Sequence, residues 1–311
     1  MINFRFHLIS LIAVFLALAV GVVMGYGVLG QPTVDTLQSR VDTVEQRADR
    51  IRGENDQLRA EQARLESLLG DVEQFAATSR ALSNEPVLPV GVRGVDSDKV
   101  SETVRLARLA GATVPGVVWL EEKWNLASAD DATELATIVG SSATTKAAIR
   151  DDATQALANR LIVGPTTGRV DLLTELDDAG FVSFEEVDGV EFDPTELDAR
   201  SSRMLVVGGS GASVPFAHGA LPLATAFAAA GRLVAVADDW RPVEQGPVRG
   251  EALGVIRSGD LEDQVATIDD LDSVDGPLVA VLTLGELGRG IIGHYGFGSG
   301  ADRAAPEWWG V

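Results

Sequence analysis

An α/β domain held on an N-terminal transmembrane helix and a long parallel coiled coil is the fold this sequence predicts. Three observations predict it. No Asp, Glu, Lys or Arg occurs between Phe6 and Val34. An apolar heptad repeat then runs through residues 34–79. Beyond Pro86, short β-branched runs alternate with amphipathic stretches, the pattern of a mostly parallel sheet with helices packed on it.

The first element is the apolar run. Residues 8–29 would form a helix about 33 Å long, enough for a hydrocarbon core of about 30 Å. Arg5 and the α-amino group precede it and Asp35 is the first charge after it, so residues 1–7 are expected in the cytoplasm and the bulk of the chain outside. Ala17-Leu18-Ala19 also has the form of a signal-peptidase site. Cleavage there would leave residues 20–29 as an apolar new end, so an anchor over residues 8–30 is the better solution. Gly21 and Gly25 form G-x-x-x-G, two flat spots on one helix face that let backbones approach.

The second element is the coil, residues 34–80. The a positions are Val34, Val41, Ala48, Asn55, Gln62, Leu69 and Ala76. The d positions are Leu37, Val44, Ile51, Leu58, Leu65, Val72 and Ser79. The helix would extend about 69 Å. Gly53, a weak helix former, falls on the outer f position. Asn55 at a favours a parallel pair, where it bonds to its twin and fixes register at a cost in stability. A homodimer is therefore expected, embedded in a membrane through residues 8–30. The e and g charges agree less well, because Arg47 would face Arg52 and Glu61 would face Glu66. An envelope protein with complementary charge remains an alternative partner through the coil.

The third element is the domain, residues 86–311. Residues 87–92 read as a strand. Residues 98–111 read as an amphipathic helix with a glycine stop. Strand 114–120, helices 130–140 and 144–158, strand 161–163 and helix 170–179 follow. Strands 181–186 and 204–207, helix 221–230, strands 233–237 and 265–268, and helix 277–288 complete the series. The helix at 98–111 carries Val100, Val104, Leu106 and Leu109 on its apolar side. The alternation predicts a Rossmann-like or flavodoxin-like three-layer domain.

Composition narrows the function. The net charge is −21, which repels nucleic acid. The absence of cysteine removes disulfides, thiolate metal sites and cysteine nucleophiles. Gly208-Gly209-Ser210-Gly211 follows a strand but lacks both the third glycine of a dinucleotide loop and a P-loop lysine, so a tight turn is expected. Asp238-Asp239-Trp240 ends a strand, where α/β sites lie, yet such carboxylates also make ordinary turns. Asp269, Asp270, Asp272 and Asp275 only approximate a calcium loop, since Val274 occupies a ligand position and Gly276 falls one place late. His294 sits in a glycine-punctuated loop and reads as a structural hydrogen bonder; Trp308 and Trp309 close the chain. No G-x-S-x-G occurs, no catalytic set assembles, and the chain reads as no enzyme with no cofactor.

Taken in order, LISLIAVFLALAVGVVMGYG at residues 8–27, the coil, VATIDDLDSVDGPLVAVLTL at residues 265–284 and GHYGFGSGA at residues 293–301 resemble the actinobacterial MctB family. Its members are named as copper transport proteins. The resemblance implies an envelope protein that limits copper accumulation, described as channel-forming in the outer membrane. Relatives named SteB imply a different role, a periplasmic coiled-coil partner in a cell-separation complex controlling a peptidoglycan hydrolase. Copper enters only through this resemblance. Met1, Met24, Met204, His7, His218 and His294 are scattered, with no M-x-M or H-x-H, and copper sites want clustered sulfur or imidazole.

Overall fold

The computed structural model describes residues 4–29, 44, 47–48, 51–52, 82–165, 168, 170–187, 192–241 and 248–307. The chain divides into two units, Met1–Ser67 and Leu68–Val311. In the first, helix α1 spans Phe4–Leu29, and within it Arg5–Gly25 is long and apolar enough to cross a membrane. It carries no charge in its last turn and no polar stripe. A Cβ added at Gly21 or Gly25 would meet nothing within 4 Å, so both glycines leave an open face. Of the heptad positions, Val44 and Ile51 are helical and exposed. Leu37, Val41, Asn55, Leu58, Leu65 and Leu69 lie outside the described residues.

The second unit is a seven-stranded sheet in the order β3-β2-β1-β4-β5-β6-β7. Its strands are β1 (Val87–Val92), β2 (Val117–Leu120), β3 (Val182–Glu185), β4 (Arg203–Gly209), β5 (Val234–Asp239), β6 (Val265–Ile268) and β7 (His294–Tyr295). Every pairing is parallel except β2 with β3, where Val117 faces Glu185 and Leu120 faces Val182. From β3 to β6 this is the Rossmann strand order rather than the flavodoxin one.

Helices cover both faces. On one lie α2 (Ser97–Leu109) and α8 (Gly276–Leu287), whose Val104 and Leu284 pack with Val207 and Ala237 of the sheet. On the other lie α3 (Ala129–Val139), α4 (Lys146–Val163), α5 (Leu172–Asp178), α6 (Ala220–Ala229) and α7 (Gly254–Arg257), around Leu157, Leu173, Phe227 and Val236. Two-sided burial explains why β1 and β5 carry no alternation and are buried at every position. Local signals set the helix ends. Ser128 and Asp131 form a reciprocal capping box at α3, and Gly140 ends it in the left-handed region.

One expected strand is helix instead. Residues 161–163 continue α4, because Ala153, Leu157 and Leu161 repeat every four residues and all three are fully buried on one face. Gly164, at φ +86°, ends the helix there. The apolar Leu-Ile-Val triplet alone does not distinguish the two states.

Candidate functional site

Ligands of doubly wound sheets bind outside the carboxyl ends of the strands, where the strand order reverses. Here that point lies between β1 and β4. It is closed from within. The Ser213 N–H donates to the Arg93 carbonyl at 2.7 Å. Gly94 has φ +98°, and a Cβ there would stand 2.3 Å from the Gly211 carbonyl oxygen. The amino end of α2, the usual phosphate seat, already holds carboxylates. Asp96 caps the Asp98 N–H at 3.0 Å, and Asp239 accepts the Asp96 N–H at 2.8 Å. Arg241 donates to Asp239 at 3.0 Å. Own carboxylates at this point oppose the entry of an anionic nucleotide.

The adjacent part of the same edge, at the ends of β5, β6 and β7, concentrates charge. Asp238, Asp239, Asp269 and Asp270 are all buried. Asp269 is satisfied completely. Arg257 donates to it at 2.8 Å, and the N–H groups of Phe297 and Gly298 reach it at 2.9 and 3.0 Å. This accounts for the glycines after Tyr295. Gly296 has φ +120°, and a Cβ on it would stand 2.2 Å from Asp269 Oδ1. Arg249 forks onto Asp272 with two bonds of 2.7 Å and lies 4.6 Å above the Trp240 ring.

His294 belongs to the same network. Arg257 Nε donates to Thr267 Oγ1 at 2.8 Å, and Thr267 Oγ1 lies 3.0 Å from His294 Nδ1. Burial lowers the His294 pKa and favours the neutral ring. Tyr295 donates its hydroxyl to Glu286, and burial, then that bond, raises its pKa.

One buried carboxyl has no donor among the described residues, and a second shares its raised pKa. Asp270 is fully buried and neither oxygen has a hydrogen-bond partner among the described residues. Burial, then the neighbouring Asp275, pushes its pKa up to about 7. Asp238 also reaches about 7, through burial and then Asp239. These groups can hold or release a proton near neutrality. Among the described residues no three His, Asp or Glu side chains stand together as metal ligands.

The sequence motifs thus converge. Gly208–Gly211, Asp238-Asp239, Asp269–Asp275 and the His294 loop all lie along the carboxyl edge of one sheet. Gly208 and Gly209 end β4, and the tight turn follows at Ser210 and Gly211, where the Ala212 N–H donates to the Gly209 carbonyl at 3.1 Å. Arg249 and Arg257, which neutralise the edge, carry no motif; their only signal is that they are arginines inside an acidic stretch.

Residues 1–306 match the family described as Copper transport outer membrane protein, MctB. The chain belongs to the MctB family. Copper transporter MctB of Mycobacterium leprae (strain TN) is 30% identical over 333 residues, covering 97% of this chain and 98% of that protein. Copper transporter MctB of Mycobacterium tuberculosis (strain ATCC 25618 / H37Rv) is 26% identical over 329 residues, with 97% and 98% covered.

Among the described residues, the soft donors of this MctB chain do not gather into a copper site. Met204 is buried in β4, Met24 and His7 lie on α1, and His218 ends the short turn Phe216–His218. His294 spends Nδ1 on Thr267. Within the sheet domain Met204, His218 and His294 stand on separate elements, whereas copper binding requires ligands together. Met1 lies outside the described residues.

Proposed function

We propose that this protein works in copper handling from a single-pass membrane anchor, with its sheet domain on the outer side. The observation that carries the proposal is the family match from residue 1 to residue 306, which takes in apolar helix, heptad repeat and sheet domain together. The curated relatives bear the name copper transporter over nearly their whole length. Orientation rests on Arg5 and the α-amino group at the inner end of α1. Two copies pair along residues 34–80, with Asn55 setting a parallel register and Gly21 and Gly25 admitting close approach of the α1 helices.

In this reading the sheet domain is a non-catalytic binding body and not the copper carrier. The buried Asp269 is answered by Arg257 and backbone N–H groups, and the domain's soft donors are dispersed. Copper is the cargo of an assembly to which the domain contributes. The test is cell-associated copper after copper loading. Deleting the gene should raise it severalfold and the full chain should restore it; an unchanged copper content refutes the proposal.

A second reading is the envelope scaffold that positions a cell-wall hydrolase. The dispersion of soft donors favours it, since a scaffold needs no copper ligand. Under it, deletion leaves copper content unchanged while daughter cells fail to separate.

A further inference from the structure

A cleft of about 300 Å³ opens between α2 and the β2–β3 edge of the sheet, away from the carboxylate cluster of β5 to β7. Its floor is apolar and consists of Val104, Val117 and Val187, all buried. Its rim is acidic and carries Asp98, Glu102, Glu185 and Glu186 against Arg105. Arg105 spends Nε and Nη2 on Glu102, at 2.8 and 2.6 Å. Glu185 accepts from Trp119 Nε1 at 2.9 Å and has Arg93 at 3.6 Å. Asp98 and Glu186 are exposed and have no ion pair among the described residues.

The neighbouring Arg93 shows what this surface accepts. Its guanidinium lies 4.4 Å above the Trp119 ring and pairs with Glu121 at 3.0 Å. That seat combines an apolar support with carboxylates at the end, the arrangement a long cationic side chain needs. The cleft offers the same combination, a valine floor beside Asp98 and Glu186, which have no ion pair among the described residues.

We infer that the cleft is a docking site for an arginine or lysine side chain of a partner protein. The alkyl stem lies on the valine floor, and the charged head meets Asp98 and Glu186. Charge complementarity selects this occupant. The lining carries four carboxylates to one arginine. The chain as a whole is acidic, with 46 Asp and Glu against 25 Lys and Arg, so a basic partner is matched better than a second copy. β3 is the last strand on its side of the sheet, which lets a second polypeptide reach the cleft. Among the described residues no three of these carboxylates stand together as metal ligands. The inference goes beyond the copper reading and stands independently of it.

The test is a ligand-observed NMR titration of the full-length protein in detergent. The probes are N-acetylarginine amide, its uncharged isostere N-acetylcitrulline amide, N-acetyllysine amide and the free diamine 1,5-diaminopentane. Saturable binding of the arginine probe is expected, weakening by about 5-fold or more as salt rises from about 50 to 300 mM, with none for citrulline. Asp98→Asn combined with Glu186→Gln should lose about 5-fold or more in affinity. Ser101→Lys, at an exposed helical position on the rim, should abolish binding by supplying a tethered cation, with thermal unfolding unchanged. Equal binding of arginine and citrulline, or an unaffected Ser101→Lys protein, overturns the site. Tighter binding of the diamine than of both the arginine probe and N-acetyllysine amide overturns the assignment to a protein side chain.

Discussion

Replacing Asp270 with asparagine should stabilise the folded domain, and only above mild acid. Asp270 is 0% exposed and both oxygens lack donors among the described residues, so its ionised form is a buried charge with nothing to answer it. Its pKa rises from 3.8 in the open chain to about 7 in the fold. A raised folded-state pKa means that the native state holds the proton more tightly. The stability this confers is complete below about pH 4 and is lost as pH climbs through 7. At about 1.4 kcal/mol per pH unit the loss approaches a ceiling of about 4 kcal/mol. Asparagine keeps the volume and never ionises. Asp270→Asn should therefore gain about 2–4 kcal/mol at pH 8, about 1 kcal/mol at pH 4.5 and almost nothing at pH 3. Urea unfolding of the full-length protein in detergent, followed by the fluorescence of the buried Trp119 and Trp124, reads the difference. Glu102, whose carboxyl is held below its usual range by Arg105, pulls the parent curve the other way, so the variant-minus-parent difference is the quantity to follow. A variant less stable than the parent by the same amount at every pH would refute the reasoning.

Three further outcomes are expected. Arg257→Ala strands the fully buried Asp269 and should cost about 3–5 kcal/mol in the same urea assay; a loss below about 1 kcal/mol would show that the Phe297 and Gly298 N–H groups suffice. The chain has no cysteine, so single cysteines report topology cleanly. Ser258→Cys, on the exposed surface after α7, should react with a membrane-impermeant maleimide in intact cells while Asn3→Cys stays protected, and the reverse pattern would invert the orientation. Asn55→Val should raise thermal stability and admit oligomers other than the dimer; a strictly dimeric variant in sedimentation contradicts the role given to Asn55.

Much of the sheet was legible because its strands are short β-branched runs bounded by turns. β1 and β6 fall on the expected residues, and β5 extends two residues beyond them to include Asp238 and Asp239. Residues 161–163 misread because three apolar residues carry no period of their own. β7 was invisible, since His294-Tyr295 is a two-residue strand with no apolar run. The edge was legible only in pieces. Asp238, Asp269 and the His294 loop each stood out, but nothing in the sequence says that β5, β6 and β7 lie side by side. The calcium-like spacing at Asp269–Asp275 is explained by that adjacency: the cations it meets are Arg249 and Arg257, distant in sequence and unmarked by any local pattern.

The central claim, that the domain serves copper handling from a membrane tether, is tested most directly by releasing it. Cell-associated copper is measured in a deletion strain carrying either the full chain or a chain whose α1 is replaced by a cleavable signal peptide. The account predicts that the tethered form restores low copper and the released form does not. Full restoration by the released form would contradict it.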